Sequence, residues 1–344
     1  MSDTSNIEWT DATWNPTTGC TKISPGCAHC YIETTPPFRM EGRKFVKGHI
    51  PLRLHADRLD KPLHWRKPRR VFVNSLSDLF HEDVPDEFID RVFATMSLTP
   101  QHTYQVLTKR PERMHKYMTG WPNGMSRGNH IALRRNKDGT ALATIPPTHS
   151  PTGSFEDGTG PLVKLPLPNV WLGVSAEDQQ RADDRIPWLL KTPAAVRFVS
   201  AEPLLGPIDL SRSWVSKPCE YCGNLDGEAG RCFCGMQTPS EIHWVIVGGE
   251  SGHGSRPCDL AWVRSIVEQC KEANVACFVK QFGAHVEATN IIDPIDQFPN
   301  DRIPKFSQGR GEHTARIHLK HKKGADTAEW PDDLRVREFP NAHA

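Results

Sequence analysis

One unit recurs along the chain: a short run of β-branched and other apolar residues, then a polar or glycine-bearing end, then a helical pattern. The stretch 69–80 ("RRVFVNSLSDLF") predicts a buried strand that ends near Asn74, followed by a helix at about 86–98. The same unit returns at 103–118, 169–190, 195–210, 243–273 and 276–283. Continuous apolar strands that alternate with helices are typical of a parallel sheet covered on both faces.

Six such strands, with one more near "GCTKIS" (19–24), predict an α/β fold built as a full or partial parallel β/α barrel. An open doubly wound sheet is the alternative, because a sequence does not show whether a sheet closes. In β/α barrels the chemistry gathers at the carboxyl ends of the strands. Functional residues are therefore expected directly after each apolar run.

Residues 1–286 are expected to form the barrel domain, with two insertions, and residues 287–344 to form an irregular extension that packs on it. The first insertion, 119–168, is rich in Pro, Gly, Ser and Thr, which predicts a flexible segment or a lid. Its inner stretch "ALRRNKDGTALATI" predicts a hairpin around Asp138-Gly139. The second insertion, 215–240, carries a cysteine cluster.

Three cysteines lie within eleven positions near the start of the chain: Cys20, Cys27 and Cys30. Disulfides use cysteines in pairs, and a closed structural zinc site normally uses four ligands. Three thiolates on one loop can instead hold three corners of a [4Fe–4S] cluster and leave one iron without a protein ligand. S-adenosylmethionine can chelate that iron, and one-electron reduction then yields a 5′-deoxyadenosyl radical.

Other interpretations of this loop remain open. The three cysteines can bind zinc, with His29 or a distant histidine as the fourth ligand. They can also be three unliganded buried thiols. The aromatic ring of Tyr31, directly after the last cysteine, is placed to shield a cluster from solvent.

The second cysteine cluster is a C-x-x-C pair followed by a C-x-C pair, with a glycine after each. Four thiolates on so short an excursion predict one tetrahedral structural zinc, and metal binding would supply the folding free energy of a segment with almost no core. A second iron–sulfur cluster and four unliganded thiols are the alternatives. The predicted ligands are Cys219, Cys222, Cys232 and Cys234.

Polar side chains follow each predicted strand, and nine of them are candidates for cofactor binding. Carboxylates there can accept from an ammonium group or ribose hydroxyls, and the two lysines can meet a carboxylate or phosphate. The alternative is that these groups only cap the helices that follow. No catalytic residue is assigned. The nine are Asn74, Ser75, Asp78, Lys109, Ser175, Glu177, Glu202, Glu250 and Lys280, with Thr108 and Ser200 beside them.

Charge and hydropathy narrow the location and the partners. Lys and Arg number 42 against 41 acidic residues, a formal net charge of +1, so no global field argues for a nucleic-acid partner. No apolar run approaches the roughly 20 residues of a membrane helix, and the first residues lack the pattern of a signal peptide. A cytoplasmic protein with metal-binding cysteines is expected. The basic run at 64–72 offers phosphate contacts and base stacking by Trp65, or simply a solvated face.

An ordered series of motifs extends over most of the chain: "WNPTTGCTKISPGCAHCY", "VFVNSLSDLFHEDVP", "YQVLTKRPERM", "NVWLGVSAE", "RFVSAEPLLGPI", "WVIVGGESG", "SRPC", "WVRSIVEQC", "FVKQFG" and "EWPDDLRVREFP". In these the chain resembles the phage-associated three-cysteine-motif family of radical-SAM-like proteins. More distantly, its organisation is similar to that of the spore photoproduct lyases, which repair thymine dimers in DNA by adenosyl-radical chemistry. The resemblance implies an electron donor of the flavodoxin or ferredoxin type and a partner encoded by a neighbouring gene.

Together these observations predict a radical S-adenosylmethionine enzyme that acts on a nucleobase, in DNA or as a nucleotide, for modification or repair. A zinc-dependent nucleic-acid-binding protein without catalytic activity is the main alternative. A third is a hydrolase with Asp78, Glu202 and Glu250 around a divalent metal, although no compact ligand motif appears at the strand ends.

Overall fold

The structure, a computed structural model, describes residues 5–119, 166–211, 242–289, 298, 304–310 and 313–340, and three short strands between 131 and 163. The chain divides into two compact units. The first unit comprises Met1–Ile23, Ile32–Val174 and Lys191–Arg197, and the second comprises Ser24–Tyr31, Ser175–Leu190 and Phe198–Ala344. The predicted division at residue 287 stays a prediction.

Seven strands belong to one parallel sheet, so the predicted α/β class is confirmed. In sheet order they are β1 (Ala12–Trp14), β4 (Arg70–Val73), β5 (Thr103–Thr108), β9 (Val170–Ser175), β10 (Val196–Ala201), β11 (Trp244–Gly248) and β13 (Ala276–Gln281). In the first unit, the register places Trp14, Val73, Val106 and Leu172 side by side. In the second unit, Ser200, Ile246 and Phe278 are aligned in the same way.

The order of these strands follows the chain without reversal. A doubly wound sheet reverses its order at a switch point, so that alternative is wrong. The order has two ends, β1 and β13, which means that the sheet is open and that the partial form of the predicted β/α barrel is the correct one. With right-handed crossovers, this winding brings the carboxyl ends of successive strands to one edge.

The first strand of the sheet lies earlier than predicted. We expected it near 19–24, but Ala12–Trp14 pairs with β4, and the cysteine-bearing stretch forms another strand, β2 (Thr17–Thr21). β2 pairs antiparallel with β3 (His49–Leu54) in a separate two-stranded sheet. A strand of three residues is too short to show a periodic pattern, so no periodicity in the sequence indicates it.

Five α-helices lie in the described residues: α1 (Pro36–Met40), α2 (Asp86–Leu98), α3 (Pro111–Thr119), α4 (Gln179–Lys191) and α5 (Leu260–Glu272). The predicted helix at 86–98 is confirmed. It begins after Pro85, carries Asp86 and Glu87 in its first turn, and buries one apolar face that includes Phe93. The N-terminus of α5 is capped by the Asp259 carboxylate, which accepts from the Ala261 amide at 2.9 Å.

The remaining strands form two smaller sheets. Inside the predicted 119–168 insertion, β6 (Ile131–Arg135) pairs antiparallel with β7 (Ala141–Thr144) and with β8 (Leu162–Val163). Arg135 lies opposite Ala141, which confirms the predicted hairpin around Asp138-Gly139. Apart from Thr119 and residues 166–168, the other residues of that insertion lie outside the described part of the chain.

The C-terminal extension is more regular than predicted. The strands β14 (Val286–Thr289), β15 (Lys305–Gln308) and β16 (Thr314–His318) form a sheet with β12 (Cys258–Asp259). Polar residues on a half-exposed antiparallel edge mask the alternation that would reveal such strands. Further on, Glu338 donates its amide to the Cys277 carbonyl at 2.8 Å, and the Trp330 ring packs 4.5 Å from that of Phe282. The last described residues therefore run along β13.

Aromatic side chains fill the core of each unit. In the first, Trp14 and Tyr104 are fully buried, with ring centroids 5.9 Å apart. In the second, Trp244 packs on Phe198 at 5.7 Å. Full burial of one large apolar side chain contributes about 1.5–3 kcal/mol, so these rings hold the strands that carry the polar ends. Within the described residues, no helix combines the length and hydrophobicity needed to cross a bilayer.

Candidate metal centre

Cys20 lies near the end of β2, in the first unit, with its side chain half-exposed. The strand bulges at Gly19, whose φ of 102° is in the region that favours glycine. A Cβ at that position would stand 2.3 Å from the Pro51 carbonyl oxygen. The close approach of the two strands therefore requires glycine here, and Cys20 lies opposite Ile50 as a result.

A buried arginine that the sequence analysis missed stands beside Cys20. The Arg110 guanidinium lies 4.0 Å from the Cys20 sulfur and donates to the Thr21 carbonyl at 3.2 Å. It is paired with the Asp78 carboxylate at 3.1 Å and with Glu82 at 2.7 Å. Burial opposes its charge, but Asp78, the Cys20 sulfur and Glu82 together raise the pKa of Arg110 above its ordinary value. A permanent cation therefore faces the first cysteine.

Asp78, a predicted cofactor ligand, connects the ends of two strands. One carboxylate oxygen accepts from the Thr108 hydroxyl at 2.7 Å and from the Phe80 amide at 3.0 Å. The other accepts from the Lys109 amide at 3.0 Å and from Arg110. Both oxygens are thus engaged within the protein. Asp78 is therefore placed to hold the Arg110 guanidinium in position.

Asn74 directly follows β4 and has a left-handed backbone, φ 60°, which asparagine tolerates better than most residues. Its side-chain oxygen accepts from the Thr17 amide at 3.2 Å, which fixes the orientation of the side-chain amide. Its buried amide nitrogen has no hydrogen-bond partner among the described residues, and neither has the hydroxyl of Thr17. Ser75, by contrast, is bonded to the Asn15 side chain at 3.2 Å. Buried unpaired donors are costly, so this pair of groups suits a ligand.

Two histidines line the end of β2. The Thr21 hydroxyl lies 2.9 Å from both the His49 Nδ1 and the His81 Nε2 atoms. Burial and the Arg110 charge lower the pKa of His81, so its ring is neutral near pH 7. Because His81 Nδ1 accepts from the Asp83 amide at 3.2 Å, its proton is on Nε2 and is donated to Thr21.

The other two cysteines lie on a short segment, Ser24–Tyr31, in the second unit. Pro25–Cys27 forms a 3₁₀ turn, and the Cys30 amide donates to the Cys27 carbonyl at 3.3 Å. Successive turns keep the two thiols on one compact loop. Both thiols are half-exposed.

Glu177, which follows β9, holds the start of this loop. Its fully buried carboxylate accepts from the Ser24 hydroxyl at 2.6 Å and from Arg185 at 3.0 Å. Arg185 also donates to the Ser175 carbonyl at 2.8 Å. A Cβ at Gly26 would lie 2.3 Å from a carboxylate oxygen of Glu177, so the loop rests directly on this side chain.

Glu250, which follows β11, holds the middle of the loop. Its carboxylate accepts from the side chain of Arg256 at 2.5 Å and from the His29 Nδ1 atom at 3.0 Å. Arg256 also donates to the Pro25 carbonyl at 2.8 Å. Burial raises the pKa of Glu250, but the bonds from Arg256 and His29 outweigh it, and the pKa lies below its ordinary value. His29, the alternative zinc ligand, is thus engaged through one ring nitrogen.

The nine predicted cofactor residues therefore fall into groups. Three of them are carboxylates bound to arginines. In the first unit Asp78 binds Arg110, which faces Cys20. In the second unit Glu177 binds Arg185 and Glu250 binds Arg256. Glu202 and Lys280 pair with each other. Sequence reasoning missed three arginines and one serine. Three of them, Arg110, Arg256 and Ser24, had their place after a predicted strand as the only sequence signal, and Arg185, inside α4, had none.

Three further described cysteines differ from those of the loop. Cys258, Cys270 and Cys277 are buried, and burial raises the pKa of the Cys258 thiol to about 12. A thiol that stays protonated is a poor metal ligand. The half-exposed thiols of Cys20, Cys27 and Cys30, one of them beside a cation, are donors that fit an iron–sulfur cluster.

No three His, Cys, Asp or Glu side chains gather as a metal site in the part of the chain that the structure describes. Joint ligation by Cys20, Cys27 and Cys30 therefore stays a prediction. The predicted zinc ligands, Cys219, Cys222, Cys232 and Cys234, lie outside the described residues.

The basic run at 64–72 does not stack bases through its tryptophan. Trp65 is buried, packs edge-on against His102 at 5.6 Å and carries the Arg69 guanidinium 5.3 Å from its ring. Base stacking by Trp65 was therefore a wrong prediction, because an aromatic ring between cations is as readily a core residue as an exposed one.

Residues 4–330 match the family described as "Protein of unknown function (DUF5131)". The chain belongs to this family. No curated protein matches the sequence. The description of the DUF5131 family does not specify a reaction.

Solved structures of spore photoproduct lyase are similar to the chain at low identity. A Cys-to-Ser mutant of that enzyme matches with 10% identity and a TM-score of 0.37, over 93% of this chain and 72% of the other. A Cys-to-Ala mutant with a dinucleoside spore photoproduct matches with the same identity and TM-score, over 93% and 71%.

Proposed function

We propose that this chain is an iron–sulfur enzyme of the radical S-adenosylmethionine type, with Cys20, Cys27 and Cys30 as the cluster ligands. The observation that carries the proposal is the support given to these three thiols. Arg110 faces Cys20, and two buried carboxylate–arginine pairs hold the loop of Cys27 and Cys30. Such supporting contacts are typical of metal sites, whose ligands are oriented by a surrounding shell of hydrogen bonds.

S-adenosylmethionine bound at such a cluster supplies, on one-electron reduction, a 5′-deoxyadenosyl radical that abstracts hydrogen from a substrate. The chain's own contribution is to bind and orient. Asn74 offers a buried donor to an acceptor on the cofactor, such as a carboxylate or ribose oxygen. Glu202, directly after β10, and Lys280, near the end of β13, offer an acceptor and a donor once their mutual pair opens. Ser75, Lys109 and Ser175 stay candidates from the sequence alone.

A different role, that of orienting the cluster ligands, is proposed for three carboxylates: Asp78, Glu177 and Glu250. Their oxygens already accept from arginines and backbone amides, so binding an ammonium group would require those bonds to exchange. Carboxylates that orient the ligands of a metal centre act through position, and we propose that role for all three.

The substrate we propose is a nucleobase, in DNA or as a nucleotide, for modification or repair. Its support is the resemblance of the motif series to phage-associated proteins. We also propose a cytoplasmic location, a structural zinc on the 215–240 insertion and a partner from a neighbouring gene. These proposals likewise have their support in the sequence. Fold alone does not assign a function, so the cofactor chemistry must be tested first.

The test is anaerobic reconstitution with iron and sulfide, followed by S-adenosylmethionine and a chemical reductant. We expect about four iron atoms per chain, broad visible absorption and formation of 5′-deoxyadenosine. Alanine at Cys20, Cys27 or Cys30 should bleach the protein, whereas Cys277→Ala, in the core, should keep its iron. A colourless wild type that binds zinc in place of iron, despite ample iron, would contradict the proposal.

A further inference from the structure

Large apolar side chains that reach solvent are confined to one stretch of the described chain. Residues 23–54 contain all five, and three of these lie in the first unit on a segment directly after the cysteine loop. The exposed fractions are 84% for Met40, 71% for Val46 and 41% for Leu54. Exposed aliphatic groups concentrated on one short segment favour a contact surface for another molecule.

The same segment carries a strong positive charge. Residues 39–53 contain five basic side chains and one acidic one, a formal charge of +4 in a chain whose net charge is +1. The single acid, Glu41, pairs with Arg53 at 2.5 Å. Among the described residues, no acidic side chain pairs with Arg39, Lys44 or Lys47. Three exposed cations are therefore left without a counter-charge beside the apolar groups.

Internal contacts fix the segment so that these groups point outward. The Phe38 ring is buried under the Arg43 guanidinium, 4.5 Å from its centroid, and Arg43 donates to the Pro51 carbonyl at 2.6 Å. The Phe45 amide donates to Glu33 at 2.5 Å. A surface whose underside is anchored in this way needs little ordering when a partner binds.

The segment also borders the first cysteine. β3 pairs with β2, which places Ile50 opposite Cys20 and His49 opposite Thr21. The Lys22 amide, just after β2, donates to the Gly48 carbonyl at 2.8 Å. Whatever docks on the exposed side of this segment therefore binds one strand away from Cys20.

We propose that residues 39–54 dock a small acidic one-electron carrier protein of the flavodoxin or ferredoxin class. The inference rests on the proposed function, since the carrier loses one electron, the cluster gains it, and no bond forms or breaks. Unpaired cations fit an acidic partner, and they steer its approach. Exposed Met, Val and Leu favour a protein over a nucleic acid, because aliphatic groups neither stack on bases nor neutralise phosphates.

The test uses the full chain and a recombinant flavodoxin as the probe. Lys44→Glu combined with Lys47→Glu should weaken flavodoxin binding about tenfold or more at low salt, and should slow reduction by flavodoxin equally. Reduction by dithionite should be unchanged. The matched control is Arg66→Glu with Lys67→Glu, two exposed cations of the other basic run, which should bind flavodoxin as the wild type does. Met40→Ser with Val46→Ser should weaken binding without changing its dependence on salt.

Binding is also measured on a variant that lacks Cys20, Cys27 and Cys30, so that docking is followed without a cluster. If flavodoxin binds this variant through Lys44 and Lys47 but the wild type holds no iron, the docking surface is supported and the proposed function is contradicted. If the wild type cleaves S-adenosylmethionine with dithionite but the Lys44/Lys47 variant binds flavodoxin normally, the docking proposal alone is overturned. Tight binding of a DNA duplex that the same variant loses, with no flavodoxin binding, would assign the surface to nucleic acid and overturn it as well.

Discussion

At the scale of single residues, Arg110 has two carboxylate partners in very different surroundings. Asp78 is buried with it, whereas the Glu82 side chain is 60% exposed. Removing one partner of a buried ion pair leaves a charge without compensation, while exposed pairs contribute little because water screens them. The same guanidinium therefore allows the buried and the exposed pair to be compared directly.

We predict that Arg110→Gln lowers the free energy of unfolding of the apo-protein by about 3 kcal/mol, because it strands the buried Asp78 carboxylate. Glu82→Gln, the matched control, should cost less than about 1 kcal/mol. Urea denaturation of the apo-protein measures both. Equal losses for the two variants would mean that Arg110 is not held chiefly by Asp78.

Gly26 is the second residue at which we expect a substitution to have a clear effect, because it lies against Glu177. Alanine there would place a methyl group 2.3 Å from a carboxylate oxygen that Ser24 and Arg185 hold in position. We expect Gly26→Ala to displace the cysteine loop, to cost about 1–3 kcal/mol and to lower iron retention after reconstitution. Gly206→Ala, which meets nothing within 4 Å, should behave as the wild type in iron content and unfolding.

At the scale of elements, the loop Ser24–Tyr31 is held by side chains that come from the ends of two strands, β9 and β11. Glu177 supports the serine end, and Glu250 supports the histidine and, through Arg256, the Pro25 carbonyl. The loop has little apolar surface of its own, so these charged contacts hold its conformation.

The lowered pKa of Glu250 makes this support dependent on pH. A carboxylate with a depressed pKa in the folded state stabilises the protein above its unfolded pKa, about 4.3, and loses that contribution as the pH falls through the folded pKa. Glu250→Gln should therefore be less stable than the wild type at pH 7, and the difference should shrink below about pH 4.3. Urea denaturation of the apo-proteins from pH 7 to pH 3 measures this. A difference that is constant over the whole range would assign the loss to packing.

How far the sequence predicted these elements depends on their length and partners. The strand before Asn74 and the helix at 86–98 carried apolar runs with clear periods, and both were predicted at their observed positions. The short strand Ala12–Trp14 was missed because three residues are too few to show a hydrophobic period. The strands of the C-terminal extension were missed because a half-exposed edge does not show this period either. The arginines at the loop were missed for another reason. Arg185 and Arg256 lie only 8 and 6 residues from their carboxylate partners. These pairs form in the segments after two strands, where no periodic pattern reveals them, and the Ser24 hydroxyl that shares Glu177 lies 153 residues away.

At the scale of the whole molecule, the strand order was the property that sequence patterns could narrow but not decide. Alternating strands and helices predict a parallel sheet, yet they fit both a barrel and a doubly wound fold. The unreversed order of the seven strands decides between them. For the candidate site, the sequence indicated polar residues after the strands, and their role as a group stays a prediction. Their pairing with arginines was not predicted.

The winding has a consequence for how this chain tolerates change. In the first unit, residues 120–169 join the end of α3 to the start of β9, so both ends of that insertion lie at the amino edge of the sheet. Cys20 follows β1, and Arg110 follows β5, at the opposite edge. We therefore expect changes in the length and composition of residues 120–169 to leave the cysteine chemistry unaffected. Among relatives, or in engineered forms, insertions and fused tags should accumulate at the amino edge of the sheet. At the carboxyl edge, the sequence spacing between the strands and the residues that follow them should stay constant.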